Sequence, residues 1–292
     1  MCTGTYFLLL ALQSGYTGLL SSPINGSKDS DKNKKIMKLN IGIFQYEMQD
    51  ESPGEKINRL EGLLEEANPL DIVICPELFL SGYGSLEKIN AYSENSQGNY
   101  AKEISALAKK SNTAIIYGYP EKDDHQLFNS AQLFDEEGIS IANHRKKLLP
   151  PTADESKIFM PGNERSIFSL KGVKSAIVIC YELEFPEIIR ELALEGVELI
   201  IAPTGQSSHW PAAALHNCRT RAFENGIFVA YANSTGQLNG ISFMGESKII
   251  GPDGLDIVNA GIGEKLISAE IDTNEIKLTR GKLPYLKDSQ SI

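Results

Sequence analysis

Residues Ala176–Glu187 read AIVICYELEFPE. The first half, AIVIC, is apolar and β-branched, which marks a buried strand. The second half turns polar and reaches Pro186, a residue suited to the first helical position. A helix is expected over Pro186–Leu194, stopped at Gly196. Cys180 thus stands at the carboxyl end of a strand, where α/β proteins build their sites. Nearby helix N-termini or cations would make its thiolate available. The competing reading is a core thiol, the common fate of a free cysteine, and position alone favours it.

Outward from this stretch, strands and helices alternate. Leu39–Phe44 and Ile72–Cys75 read as strands. Ser52-Pro53-Gly54-Glu55 is a capping box with Pro at the first helical position. It opens a helix with Ile57, Leu60, Leu64 and Ala67 on one stripe. A helix over 100–110 leads to a strand over 113–117, then a hairpin of 130–134 and 139–143. A second hairpin turns at Lys171-Gly172 and returns through Ala176–Cys180. Strands over 197–202 and 227–232 flank a helix over 212–224. Two further strands flank Gly251-Pro252-Asp253-Gly254, a strong turn signal. Hairpins mixed with βαβ units imply an α/β sandwich rather than a doubly wound sheet.

Residues 1–36 read as an appended leader, with an atypical signal or lipid-anchoring peptide as the alternative. Tyr6–Leu12 is apolar but far shorter than the roughly 20 residues that span a bilayer. No Lys or Arg precedes Lys28, so the basic start of a secretory signal is missing. Residues 37–292 read as one domain.

The 292-residue chain has 28 Lys+Arg against 38 Asp+Glu, a net charge of −10. Residues 1–36 carry four Lys and two Asp, or +2, which leaves −12 on the remainder. Such an acidic body argues against nucleic-acid binding and against docking on anionic lipid. Cys2, Cys75, Cys180 and Cys218 form no CxxC pair, which fits a reducing cytoplasm better than a disulfide scaffold. Cys75 and Cys218 read as core thiols. The four histidines lie in different segments, so no metal site is expected, and no cofactor fingerprint occurs.

Three more places bear on chemistry. Glu77 follows the Ile72–Cys75 strand and precedes Leu78, Phe79 and Leu80. A carboxylate amid that much apolar surface would have its pKa raised toward general-base duty; a solvated loop Glu is an even alternative. His144-Arg145-Lys146-Lys147 ends a strand, and its bland reading is a solvated basic cluster. In an acidic chain it also offers a fixed cation for a developing oxyanion. Asp154-Glu155-Ser156 means little alone.

Taken together these segments resemble the nitrilase, or carbon-nitrogen hydrolase, superfamily. Pro76–Tyr83, PELFLSGY, is similar to its PE-containing base motif. HRKKLLP from His144 is similar to its YRKxHL lysine motif, and CYELEFPE from Cys180 to its CYDxRFPE nucleophile motif. Glu155–Gly162, Arg221–Asn233, Gly251–Gly254 and Leu283–Asp288 are also family-like, so the resemblance covers residues 39 to about 288. It implies a four-layer α-β-β-α sandwich, forming a homodimer or higher homo-oligomer. It further implies hydrolysis of a small amide, with Cys180 as nucleophile and Glu77 as proton carrier. Lys146 and the Tyr181 N–H would hold the oxyanion, and Glu155 would orient Lys146. Tyr83, Phe185, His209 and Trp210 would line the substrate pocket. Four departures stand out: His144 for the usual Tyr, Leu148 for a frequent His, an apolar Leu183, and Glu184 for the usual Arg. The missing basic residues disfavour an N-carbamoyl amino-acid substrate. A nitrile substrate, a non-catalytic binder, and an acyl transferase are the remaining alternatives.

Overall fold

The computed structural model describes residues 35–151 and 154–292. The leader expected over residues 1–36 lies outside them, apart from Lys35 and Ile36. Ile36–Ile292 form one compact unit.

Its strands are β1 (Lys38–Gln45), β2 (Glu47–Met48), β3 (Ile72–Ile74), β4 (Ala114–Asp123), β5 (Gln126–Phe134), β6 (Ser140–Arg145), β7 (Ser166–Leu170), β8 (Val173–Ile177), β9 (Leu199–Pro203), β10 (Phe228–Ala232), β11 (Thr235–Leu238), β12 (Ile241–Met244), β13 (Lys248–Ile250), β14 (Asp256–Asn259) and β15 (Lys265–Asp272). They form two six-stranded sheets, ordered β15-β1-β3-β4-β5-β6 and β14-β13-β10-β9-β8-β7. A small sheet, β12-β11-β2, joins them. Each large sheet is parallel at its centre, β1-β3-β4 in one and β8-β9-β10 in the other. Antiparallel strands flank both centres.

Alternation along the strands builds the layers. Leu39, Ile41 and Ile43 of β1 point inward and meet Ile177, Leu199, Ile201, Phe228 and Ala230 of the opposite sheet. Phe44, Val73, Ile115 and Tyr117 point outward. There they pack on Ile57 and Leu60 of α1 (Pro53–Glu66) and on Ile104, Leu107 and Ala108 of α3 (Asn99–Ser111). Short α2 (Leu86–Tyr92) adds Ile89 to this layer. On the far side, Ile200, Val229 and Ile250 pack on α5 (Pro186–Leu194) and α6 (Cys218–Asn225). The result is the α-β-β-α sandwich, with a period of two dividing each strand between two cores. Fully burying each such Ile or Leu stabilises by on the order of 2 kcal/mol before chain entropy.

Local signals held where they were strong. Ser52 Oγ accepts the Glu55 N–H, and Glu55 Oε2 accepts the Ser52 N–H at 2.8 Å, completing the capping box. α5 spans Pro186–Leu194 as expected, and Gly196 follows it at φ +88°. Several bounds differ. β8 ends at Ile177, three residues before Cys180. The expected 212–224 helix opens with a π turn, Ala213–Asn217, before α6. β4 runs to Asp123 and pairs with β5 down to Asp123↔Gln126. Gly118 and Pro120 masked that extension. Beyond Ile116, β4 has no ladder to β3, so Pro120 occupies an edge where its missing N–H is tolerated. β15, which closes β1 antiparallel, and the three-stranded sheet had no local signal.

Gly118 of β4 serves the loop after β3. Its N–H donates to Pro76 O at 3.2 Å, and its carbonyl accepts the Leu80 N–H at 3.2 Å. A Cβ there would lie 2.4 Å from Leu78 N and 2.5 Å from Pro76 O. Gly118→Ala should therefore destabilise the fold by about 1–3 kcal/mol, read as a lower melting temperature. Gly54→Ala, on open space in α1, should melt at or above the parent.

Candidate active site

Four residues reach one place from four chain segments. Glu77 follows β3, three residues beyond Ile74, and is fully buried. Its backbone N–H crosses to Thr204 O, and the next residue, Leu78, is held at φ +47°. Lys56 of α1 supports this loop from beneath, donating to Phe79 O at 2.9 Å and Leu80 O at 3.2 Å. Its burial lowers that amine to about 8. Lys146 follows β6; its N–H donates to Asn129 O and its carbonyl accepts the Gly162 N–H, both at 2.8 Å. Glu155 opens α4 (Glu155–Ile158), after Asp154 at φ +55°.

The three charges meet in direct contact. Lys146 Nζ lies 2.6 Å from Glu77 Oε1 and 2.8 Å from Glu155 Oε2. Asn129 Nδ2 donates to Glu77 Oε1 at 2.7 Å and to Glu155 Oε2 at 3.2 Å. Gly205 N–H donates to Glu77 Oε2 at 2.8 Å, and Tyr83 OH to Glu155 Oε1 at 3.4 Å. Burial alone would lower the Lys146 pKa, but the charges of Glu77 and Glu155 hold it above the ordinary lysine value. Burial and the charge of Glu77 raise Glu155, against the pull of Lys146.

Cys180 opens a 3-10 helix, Cys180–Glu184, at φ +48°. The extended strand expected to reach it is replaced by this left-handed turn. A non-glycine residue so held costs of order 1–3 kcal/mol and needs support from its surroundings. Burial raises the thiol pKa well above normal, the charge of Glu77 adds to this, and Lys146 opposes it. The Gly205 N–H, which holds Glu77, also reaches the thiol. Burial and the charge of Glu77 thus favour the protonated form of the Cys180 thiol.

A buried strut ties the cysteine turn to the lysine strand. Glu182 Oε2 accepts the Ile179 N–H at 2.6 Å and meets His144 Nε2 at 2.9 Å. Its Oε1 accepts the Lys147 N–H at 2.9 Å. Burial pushes the Glu182 carboxyl up, but His144 and the two N–H donors bring it below the usual value.

The remaining expected residues separate. Tyr83 is buried against Phe243 beside Glu155. Tyr181 and Phe185 are half-buried and pack edge to face at 4.9 Å. His209 and Trp210 lie on the surface, His209 bonded to Ser207 and Trp210 63% exposed. Asn129, Gly205 and the Glu182–His144 pair were not expected. Asn129 sits mid-strand in FNSAQ, where nothing local distinguishes it from a solvent-facing Asn. Cys75 and Cys218 are free, buried thiols. Among the described residues no cluster of three His, Cys, Asp or Glu could hold a metal ion.

A carbon-nitrogen hydrolase family model matches residues 40–281. "Hydrolase in pqqF 5'region" of Pseudomonas protegens is 37% identical over 87% of this chain and 90% of its own length. The 2-oxoglutaramate amidase of Bacillus subtilis is 31% identical over 86% of this chain and 98% of its own. A Xanthomonas campestris carbon-nitrogen hydrolase superfamily protein, solved with an arsenic adduct in its active site, superimposes with a TM-score of 0.81 at 26% identity. That match covers 86% of this chain and 97% of that one. The chain belongs to the carbon-nitrogen hydrolase family.

Two predictions follow from the packing. Asn129→Leu keeps the branched shape but removes the donor shared by Glu77 and Glu155. It should lower kcat/KM by about 10²-fold through misplacement of the two carboxylates, with kcat affected more than KM in steady-state assays. For Glu182, the folded pKa is depressed. Its stabilisation is complete above the unfolded value of about 4.3 and is lost as pH falls through the folded one. Glu182→Gln should therefore lose about 3 kcal/mol at pH 7. Urea titrations should show that gap closing as pH falls below 4.

Proposed function

We propose that this carbon-nitrogen hydrolase is an amidase in which Cys180 carries the acyl group. The observation that supports it most is Lys146 Nζ held between Glu77 and Glu155, beside a thiol whose own pKa is raised. Glu77 takes the Cys180 proton as Sγ attacks the amide carbonyl. The carbonyl oxygen becomes an oxyanion, and Lys146 with the Tyr181 N–H neutralises it. Collapse breaks the C–N bond while Glu77 returns the proton to the leaving nitrogen. Ammonia or an amine departs and leaves a thioester. Water then attacks that thioester, giving its proton to Glu77. The carboxylic acid leaves, and the thiolate regains the proton. Glu155 keeps Lys146 in place throughout, and Tyr83 holds Glu155. Tyr181 and Phe185 form a wall of the pocket, and the exposed His209 and Trp210 form its outer rim.

The same reading carries a homodimer or higher homo-oligomer in a reducing cytoplasm. Free Cys75, Cys180 and Cys218 support the compartment. The exposed pair Phe223 and Tyr285, with Leu283, supports association. No helix among the described residues is long and apolar enough to cross a membrane.

Intact-mass trapping across an amide, a nitrile and an N-carbamoyl panel tests the chemistry. Amides should add their acyl mass at Cys180 and release ammonia. Cys180→Ala should show neither, and Glu77→Gln should lower turnover by at least about 10²-fold. Undiminished ammonia release from Cys180→Ala would sink the assignment.

A further inference from the structure

Glu184 is the last residue of the 3-10 helix that begins at Cys180. With three residues per turn, it shares a face with Tyr181, next to the nucleophile. Its backbone is pinned: Arg221 Nη2 donates to Glu184 O at 2.6 Å, and Arg221 Nε to Leu183 O at 3.1 Å. Its side chain is half-buried, yet the carboxylate makes no hydrogen bond or ion pair among the described residues. Burial raises the carboxyl above its ordinary value, and the charges of Lys146 and Arg221 oppose this. Arg221 makes no ion pair with this carboxylate; it pairs with Glu224 at 2.9 Å and gives Nε and Nη2 donors to the Leu183 and Glu184 carbonyls.

Tyr231 supplies a second observation. It is 1% exposed, and its hydroxyl has no partner. The charges of Cys180, Glu184 and Glu77 all act on it. A buried, unpaired hydroxyl and an unpaired carboxylate thus share the surroundings of the thiol. Around the site Glu77, Glu155 and Glu184 stand against Lys146 and Arg221, and Arg221 is already paired with Glu224.

We propose that Glu184 makes this site select amides that carry a cationic amino group, such as amino-acid amides, and reject the monoamides of dicarboxylic acids. The inference rests on the amidase reading above and names its substrate class. An incoming ammonium gives Glu184 the direct ion-pair partner it lacks. A substrate carboxylate would instead meet a carboxylate whose neighbouring cations, Lys146 and Arg221, are already engaged with Glu77, Glu155 and Glu224, and like-charge juxtaposition of this kind excludes ligands strongly. The Bacillus relative is named for 2-oxoglutaramate, which carries a carboxylate, so the two enzymes should differ in substrate charge.

The test is ammonia release from alaninamide, butanamide and succinamate, assayed where the alaninamide amine is protonated. In the parent protein, kcat/KM for alaninamide should exceed that for butanamide by at least about tenfold, and succinamate should fall at least about tenfold below it. Because an α-ammonium also activates an amide chemically, the variants decide. The isosteric Glu184→Gln should shrink both ratios toward unity, and Glu184→Arg should favour succinamate over butanamide. Succinamate turned over as well as butanamide by the parent protein, or ratios unchanged in Glu184→Gln, would overturn the inference. Hydrolysis that is blind to charge defeats this inference alone. Absence of any turnover or thioester on all three amides defeats the amidase reading instead.

Discussion

An ammonium buried between two carboxylates governs this molecule. Lys146, Glu77 and Glu155 are at most 4% exposed at their side chains, and together they carry a net negative charge. Dehydrating each ion costs several kcal/mol, and only close geometry with further donors offsets it. The surroundings follow from that requirement. Asn129 divides its amide between the two carboxylates, Gly205 gives its N–H to Glu77, and Tyr83 gives its hydroxyl to Glu155. Loss of any donor leaves a charge without compensation. The site is therefore a tightly specified part of the fold and not a decoration on a loop.

The position of the site across both sheets has the same origin. Glu77 and Lys146 leave the ends of β3 and β6 in one sheet, while Cys180 and Gly205 follow β8 and β9 in the other. The core between the sheets, filled by residues such as Ile41, Ile74, Ile177 and Ile201, fixes their separation. Close-packed side chains of this sort yield little, so the strand ends stay in register with each other. The Glu182–His144 strut adds a polar link along the same seam. It supports Cys180 in a left-handed turn that an isolated chain would abandon. Burial favours the protonated thiol, so in the proposed reaction the neighbouring carboxylate is part of the activation of Cys180.

Legibility in the sequence varied with the range of the interaction. Glu77, Lys146 and Cys180 were each ambiguous by position, and only the ordered set of motifs around them, in its resemblance to a family, singled them out. The capping box at Ser52 and the helix over Pro186–Leu194 were readable because their signals span a few residues. Asn129 was invisible, since its role depends on partners 52 and 26 residues away. Glu182 and His144, 38 residues apart, pair only once two sheets are stacked. Trp210 was assigned to the pocket through the family resemblance, and no local signal foretold that its loop would leave it 63% exposed.

The sequence by itself determined the order of strands and helices, the sandwich class, and the residue types that carry the chemistry. Periodicity, caps and a run of strand-end motifs are local, and one-dimensional order preserves them. Only the tertiary structure decided the protonation of these groups. Whether Cys180 rests as a thiol, whether Lys146 stays charged, and whether Glu184 lacks a partner all depend on burial and on charges from distant segments. Desolvation and Coulomb terms act through space, across gaps of a few ångströms that separate residues far apart along the chain.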